Sequence, residues 1–332
     1  MTKGFAHARM NAYKAEQQKW KGLSYDLKDY EIDGSAWWED SGLVDFSSEE
    51  GLASKKVAID GLSKSSPVFG LDGYQGFYYM PGYLAKESRD MLAWLCLTEY
   101  CEPPHDTNIA QVPMKAHENE SCILSMWAKY VGGMDCTNHY NRLGKLAWST
   151  MGYNYDWTLR AYHEGKRSPF PRVLEDLSQR IASVVDHDVY NPQASIVNFY
   201  HTKSLMGGHQ DDLELTFDKP VVSMSFGLPG IFLLGGLTKN EKPTPILVRD
   251  GDCMVMGGGS RLRFHGLAKV LGKDVRLPES VRGEGRRVDL EEEEMPRFQE
   301  ERVQVWRFLE SHRININVRQ VLPDGCDSIG DV

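Results

Sequence analysis

The chain has 332 residues, a formal net charge of −9, 41% hydrophobic residues, eight tryptophans and fifteen tyrosines. The aromatic content excludes a disordered chain, and the acidic balance argues against tight non-specific binding to nucleic acid, which depends on lysine and arginine neutralising phosphates. The longest apolar stretch, 220–237, is broken by Gly227, Pro229 and Gly230 and is too short for a membrane span, so a soluble protein is expected.

The length fits about two domains, or one large domain with an extension. Six cysteines (Cys96, Cys101, Cys122, Cys136, Cys253, Cys326) lack C-x-x-C spacing and follow no signal peptide, so they read as reduced thiols. At the N-terminus Lys3, Arg9 and Lys14 precede any acid except Glu16, a pattern shared by organelle presequences and by ordinary surface helices. Arg9 to Lys28 reads as a polar helix, and the Ser-, Lys- and Gly-rich stretch 51–67 as a loop that closes an N-terminal extension over 1–66.

Residues 67–144 read as a helical lead-in on the substrate side, with helices over Ser88–Tyr100 and Ser121–Val131. Arg142, Lys145, Arg160, Lys166, Arg167 and Arg172 are then interleaved with Trp148, Tyr153, Tyr155, Trp157 and Tyr162. That mixture suits phosphates and bases, and equally a solvated face over core aromatics. Arg172 to Asp186 is an amphipathic helix with Val173, Leu174, Leu177, Ile181, Val184 and Val185 on one face.

From Ala194 the pattern changes to short β-branched and aromatic runs, "SIVNFY", "PVVSMSFG", "IFLLGG", "ILVRDGD", "CMVMGGG", "LRFHG" and "RININVRQV", with turn residues between them. Short antiparallel strands of this kind build a sandwich, a jelly roll or a barrel. The charged stretch "KDVRLPESVRGEGRRVDLEEEEMPRFQEERVQ" between the last two runs reads as a surface insertion with solvated glutamates.

"NFYHTKSLMGGHQDD" puts His209 and Asp211 two residues apart, on one face if the segment is extended. His265, in a later run, completes two histidines and a carboxylate, the facial set of non-haem Fe(II) oxygenases. In "RININVRQV" the polar residues Arg313, Asn315, Asn317 and Arg319 alternate with Ile314, Ile316 and Val318. If that polar face looks inward, its arginines need an anion, and a dicarboxylate cosubstrate would supply one; a solvated polar face is the plainer arrangement.

The stretches "VVSMSFGLPGIFLLGG", "GDCMVMGGGSRLRFHG" and "RININVRQ", in this order after H-x-D, resemble the AlkB family of Fe(II)- and 2-oxoglutarate-dependent dioxygenases. "LAWSTMGYNYDW" extends the likeness upstream, and "GLVDFS" and "LDGYQGFYYMPGYL" are similar to the eukaryotic AlkB homologue 1 branch. The resemblance implies an α+β fold: a double-stranded β-helix, or jelly roll, over 145–323, carrying a charged insertion at 272–302, with flanking helices, an N-terminal helical extension and a tail at 324–332. It further implies iron binding by His209, Asp211 and His265, and 2-oxoglutarate binding by Arg313, Asn198, Tyr200 and Asn315, with Arg319 supporting the same anion pocket. Fork-shaped guanidinium donors suit a carboxylate.

By the same resemblance Trp148 stacks a flipped base against His209, Tyr153 lies near the nucleic-acid backbone, and Arg261 lies in the base pocket. The expected reaction couples oxidative decarboxylation of 2-oxoglutarate by O2 to hydroxylation of a methyl group, which removes an N-methyl as formaldehyde or oxidises a C-methyl. Where the bacterial repair enzyme has a second aspartate two residues after the iron aspartate, this chain has Leu213, so base recognition must differ. The branch implies methylated transfer-RNA nucleosides (1-methyladenosine, 5-methylcytosine) or 6-methyladenine in DNA, unpaired or distorted, acted on by a monomer in the nucleus or mitochondrion, with the cytoplasm as an alternative.

Three other readings stay open: an oxygenase acting on protein side chains, a non-catalytic nucleic-acid-binding module, and a zinc hydrolase, which would leave Arg313 and Arg319 unexplained.

Overall fold

The computed structural model describes residues 10–23, 42–46, 56–58, 67–109, 126–131, 143–156, 159, 161–272 and 294–332. Most of the loop read at 51–67, Cys122, Cys136, Arg142, Trp157, Arg160 and the greater part of the charged insertion lie outside them.

Two antiparallel sheets face each other. The larger has ten strands: β1 (Lys56–Ala58), β2 (Phe69–Leu71), β3 (Phe77–Met80), β4 (Asp106–Thr107), β5 (Trp148–Asp156), β6 (Ala161–Arg167), β7 (Ala194–His201), β8 (Val221–Gly227), β11 (Cys253–Met256) and β13 (His312–Arg319). They run in the order β1-β2-β3-β11-β8-β13-β7-β5-β4, with β6 paired to β5. The smaller sheet is β10 (Thr244–Val248), β9 (Gly230–Leu234) and β12 (His265–Val270), in that order. This is the jelly-roll arrangement expected of the strand-rich half.

Alternation along three central strands decides what each side of the large sheet does. Ile314, Ile316 and Val318 of β13, Val222, Met224 and Phe226 of β8, and Val197 and Phe199 of β7 are buried in one apolar cluster. That cluster also holds Met91, Leu95 and Leu97 of α2 (Lys86–Thr98), Leu174, Leu177 and Ile181 of α4 (Arg172–Ser183), and Phe298 and Phe308 of α5 (Met295–Leu309). Burying each of these side chains stabilises the fold by about 1.5–3 kcal/mol. The in-between residues Arg313, Asn315, Asn198, Tyr200, Ser223 and Ser225 therefore face the smaller sheet. The serines are small enough to leave room there for the arginine and the asparagines.

Helices lie close to the sequence expectation: α1 spans Ala12–Lys21, α2 Lys86–Thr98, two residues earlier at each end than expected, α3 Met126–Val131 and α4 Arg172–Ser183. The end of the charged stretch is a correction. Met295–Leu309 forms α5, which packs on α2, with Phe298 edge-on to Trp94 at 5.9 Å and the Trp94 and Trp127 indoles both donating to Glu301 Oε2 at 2.7 Å. Charge density hid an apolar stripe at helical spacing, Phe298, Val305, Phe308 and Leu309.

The described parts of the first 66 residues join the core. Tyr13 and Trp20 of α1 are buried against the small sheet, Val44 bridges Ile246 in parallel, and Arg249 makes a buried two-pronged pair with Asp45 at 2.6 and 2.7 Å. Among the described residues, no helix is long and apolar enough to cross a membrane.

Candidate active site

His209 and Asp211 lie in the irregular segment between β7 and β8, and His265 opens β12. An isolated antiparallel bridge joins the two histidines, His209 N–H to His265 O at 3.0 Å and His265 N–H to His209 O at 2.8 Å. His209 thus meets its partner across a bridge, outside any named strand. One ligand atom from each of His209, Asp211 and His265 lies within 4.8 Å of the others. The Nε2 atoms stand 3.7 Å (His209) and 3.9 Å (His265) from the two Asp211 oxygens.

The outer nitrogens are committed. His209 Nδ1 faces Gly207 O at 3.0 Å and His265 Nδ1 faces Arg263 O at 3.1 Å. A carbonyl only accepts, so each Nδ1 carries the proton and each Nε2 turns a lone pair inward. Burial, together with the neighbouring His209, pushes the His265 imidazole down to about 4, against the pull of Asp211, and keeps it neutral. Burial would raise the Asp211 carboxyl, but Arg319, the two histidines and Arg261 outweigh it and hold the group well below the usual carboxylate range. Two imidazoles whose Nε2 atoms face one ionised carboxylate form a donor set that fits Fe(II).

Behind this set, a narrow cavity is lined by Tyr200, Met206, Ser223, Phe232, Arg313 and Asn315, and bordered by both histidines. Arg313 is 2% exposed and donates to Leu228 O (3.2 Å) and Ser225 Oγ (2.7 Å), while its Nε has no partner. Among the described residues no carboxylate pairs with it, so the cavity holds an uncompensated buried cation, which fits a dicarboxylate. Burial raises the Tyr200 phenol, against the pull of Arg313, and keeps it protonated as a donor. Asn315 donates to Ser223 Oγ at 2.9 Å and Met224 O at 3.0 Å, and accepts from Asn317 at 2.9 Å.

On the other side opens a cavity of about 750 Å³, lined among others by Trp148, Tyr155, Tyr162, Asn198 and Leu213. Met206, His209 and Asn317 border both spaces. Trp148 and Asn198 reach this wall as register partners on β5 and β7.

Several expected residues sit differently. Arg319 borders the large cavity rather than the Arg313 cavity, with Nη2 3.2 Å from Asp211 Oδ2 and Nη1 3.1 Å from Glu214 Oε1. Arg261 is 2% exposed, and its guanidinium is committed to Asp211 O (2.6 Å), Lys219 O (3.1 Å) and Glu214 Oε2 (3.0 Å), behind the site rather than in the base pocket. Tyr153 is covered by the Arg167 guanidinium, 4.6 Å from its ring centroid, and donates to Glu164 at 2.8 Å. In the aromatic and basic stretch, Tyr153, Tyr155 and Tyr162 are buried with Val321 and Leu322, and Tyr155 and Tyr162 also line the large cavity.

Glu214 had no assigned role, yet it ties Arg261, Arg319 and the Tyr162 hydroxyl (3.2 Å) together. An inward-facing Arg319 on β13 was the available sign that an acid must lie near it.

The human protein named nucleic acid dioxygenase ALKBH1 is 31% identical over 318 residues, covering 85% of this chain and 79% of that protein. DNA N(6)-methyladenine demethylase ALKBH1A of Arabidopsis thaliana is 31% identical over 317 residues, covering 85% and 87%. The tRNA demethylase abh1 of Schizosaccharomyces pombe is 28% identical over 273 residues, covering 77% and 82%. The 2OG-Fe(II) oxygenase superfamily model matches residues 76–319, from the threshold of β3 to the last residue of β13 and hence across both cavities and the histidine–aspartate set, so the chain belongs to that superfamily.

Proposed function

We propose that the protein demethylates or oxidises methylated bases in nucleic acid, with His209, Asp211 and His265 holding Fe(II) and the Arg313 cavity holding 2-oxoglutarate. The observation that carries this reading is the wall shared by two cavities: a narrow one with an uncompensated arginine, and a large one with Trp148, Tyr155 and Tyr162 on its sides. The large volume suits one flipped nucleotide. The relatives named for nucleic acid, DNA and tRNA support the same substrate class.

Bound iron and 2-oxoglutarate supply the oxidation of a C–H bond by O2, with succinate and carbon dioxide released. The chain supplies the rest. Arg313 and the Tyr200 hydroxyl bind the far carboxylate, Asn315 lines its path, and Trp148 offers a ring to the base. Once an N-methyl is hydroxylated, the hemiaminal sheds formaldehyde; a hydroxylated C-methyl stays attached. Substrates on this reading are 1-methyladenosine and 5-methylcytosine in transfer RNA or 6-methyladenine in unpaired DNA, handled by a monomer in the nucleus or mitochondrion.

The test is anaerobic reconstitution with Fe(II) and 2-oxoglutarate, then oxygen with a panel of methylated RNA and DNA, following succinate and nucleosides by mass spectrometry. Loss or oxidation of one methyl mark with matching succinate supports the reading and selects the polymer. Succinate stimulated only by protein substrates would overturn it.

A further inference from the structure

We propose that residues 321–331 brace the wall of the large cavity: latched to β6 through Ile329 and Glu164, the segment sets the position of the β5–β6 hairpin and with it the affinity for a nucleotide. The inference rests on reading the large cavity as the nucleic-acid space. Glu164 and Ile329 are positioning residues in it; neither lines the cavity.

Among the described strands β6 pairs with β5 alone, and their register shifts between Tyr153 and Tyr155. An edge strand beyond such an irregularity is free to bend unless other parts of the chain hold it. Tyr155 of β5 and Tyr162 of β6 line the cavity and also belong to one buried cluster with Val321 and Leu322. Leu213, from the same cavity wall, packs against that cluster together with Cys326 and Ile329. The aromatic wall and the segment are therefore one packed unit.

The segment keeps its own shape. Gln193 Oε1 accepts from the Val321 and Leu322 amides at 2.9 and 2.8 Å, and Leu215 N–H donates to Val321 O at 2.9 Å. Gly325, at φ 84°, lets the chain turn, and Lys219 Nζ holds Asp324 at 2.7 Å. Asp331 Oδ2 then accepts from Asp327 N–H, Ser328 N–H and the Ser328 hydroxyl at 3.1, 2.8 and 3.0 Å. Within this turn Ile329 N–H donates to Glu164 Oε2 at 3.1 Å, and the same oxygen accepts from the Tyr153 hydroxyl at 2.8 Å. The Ile329 N–H and then the Tyr153 hydroxyl hold the Glu164 carboxyl below its ordinary value. One carboxylate thus ties β5, β6 and the segment together.

Two variants of the full chain break this latch. Ile329→Asp sets a carboxylate against the apolar cluster and beside Glu164, and Glu164→Ala removes the shared acceptor, whereas Glu164→Gln keeps an oxygen for both donors. Amide hydrogen exchange is followed on the metal-free proteins, and binding of fluorescent single-stranded DNA and RNA, each with one methylated adenine, is read by anisotropy without turnover. The expected result is faster exchange over residues 161–167 with α1 and β12 unchanged. Oligonucleotide affinity falls at least about fivefold, the lower end of what one aromatic stack contributes. Glu164→Gln returns both readings toward the parent, and 2-oxoglutarate binding to the anaerobic iron-loaded variants, measured by calorimetry, stays at the parent's value.

Unchanged exchange over 161–167 in both variants overturns the proposal, as does exchange that quickens throughout the chain. Faster exchange in β6 with unchanged oligonucleotide affinity overturns it alone and leaves the proposed function standing. A folded parent that binds neither oligonucleotide overturns both.

Discussion

Arg319 Nη2 lies 3.2 Å from Asp211 Oδ2, so one of the three candidate iron ligands is held by a buried guanidinium from the neighbouring sheet strand. The contact fixes the carboxylate's rotation and keeps it ionised. Arg319→Lys keeps a charge but cannot reach Asp211 and Glu214 together. Its Fe(II) affinity, measured by anaerobic titration, is expected to fall about 10–100-fold, the usual consequence of losing a group that orients a metal ligand. Unchanged affinity would remove Arg319 from the metal site.

Glu214 is the counter-charge for two arginines, Arg261 at 3.0 Å and Arg319 at 3.1 Å, with its own side chain fully buried. Glu214→Ala leaves both cations buried with one acceptor fewer each, and is expected to lower the unfolding free energy by about 3–5 kcal/mol. Urea unfolding of the metal-free protein measures it. A loss under about 1 kcal/mol, the range of an exposed pair, would mean that water reaches this cluster.

A methyl group at Gly208 would meet the Tyr13 ring at 2.4 Å, and Tyr13 is 1% exposed with its hydroxyl on Leu233 O. Since the ring has nowhere to turn, Gly208→Ala is expected to displace α1 and the adjoining His209 segment. Limited proteolysis should cut within residues 12–21 sooner than in the parent, and iron affinity should drop with it. Adding Tyr13→Ala should restore part of both, since it removes the atoms in conflict.

Four histidines, His105, His187, His265 and His312, are held below the ordinary imidazole value, with burial the largest cause in each. In the unfolded chain they protonate near pH 6.5; in the folded chain they resist. The unfolded state therefore binds more protons as pH falls below about 6.5, and stability declines in that direction until the folded groups titrate in turn. His312 stacks on Phe308 at 4.0 Å, far from any candidate ligand role, so His312→Gln isolates one proton. Its slope of stability against pH below 6.5 should be shallower by up to about 1.4 kcal/mol per pH unit.

The strand-rich half was legible because period-two alternation survives in β7, β8 and β13, and because His209, Asp211, His265 and Arg313 each lie in a short motif with fixed spacing. Three things were not legible for physical reasons. Helix α5 carries its apolar stripe inside a charged segment, so composition masked periodicity. The resemblance puts Arg261 in the base pocket and Arg319 in the anion pocket, but it does not show their partner, Glu214, which chain folding brings between them. The resemblance puts Tyr153 near the nucleic-acid backbone, whereas the β5–β6 hairpin and residues 321–329 close over it.

Trp148 stands on the wall of the large cavity, on β5, and His209 borders the same space. A base–aromatic stack is worth about 1–3 kcal/mol, so Trp148→Ala should raise the KM for a methylated oligonucleotide by roughly 5–150-fold, with Trp148→Phe in between. The KM for 2-oxoglutarate should move far less, because its cavity is lined by β8, β13 and the small sheet and does not include Trp148. Steady-state kinetics with each substrate varied in turn separates the two. Equal shifts in both constants would mean that the substitution disturbs the sheet rather than a base platform, and would remove Trp148 from substrate recognition.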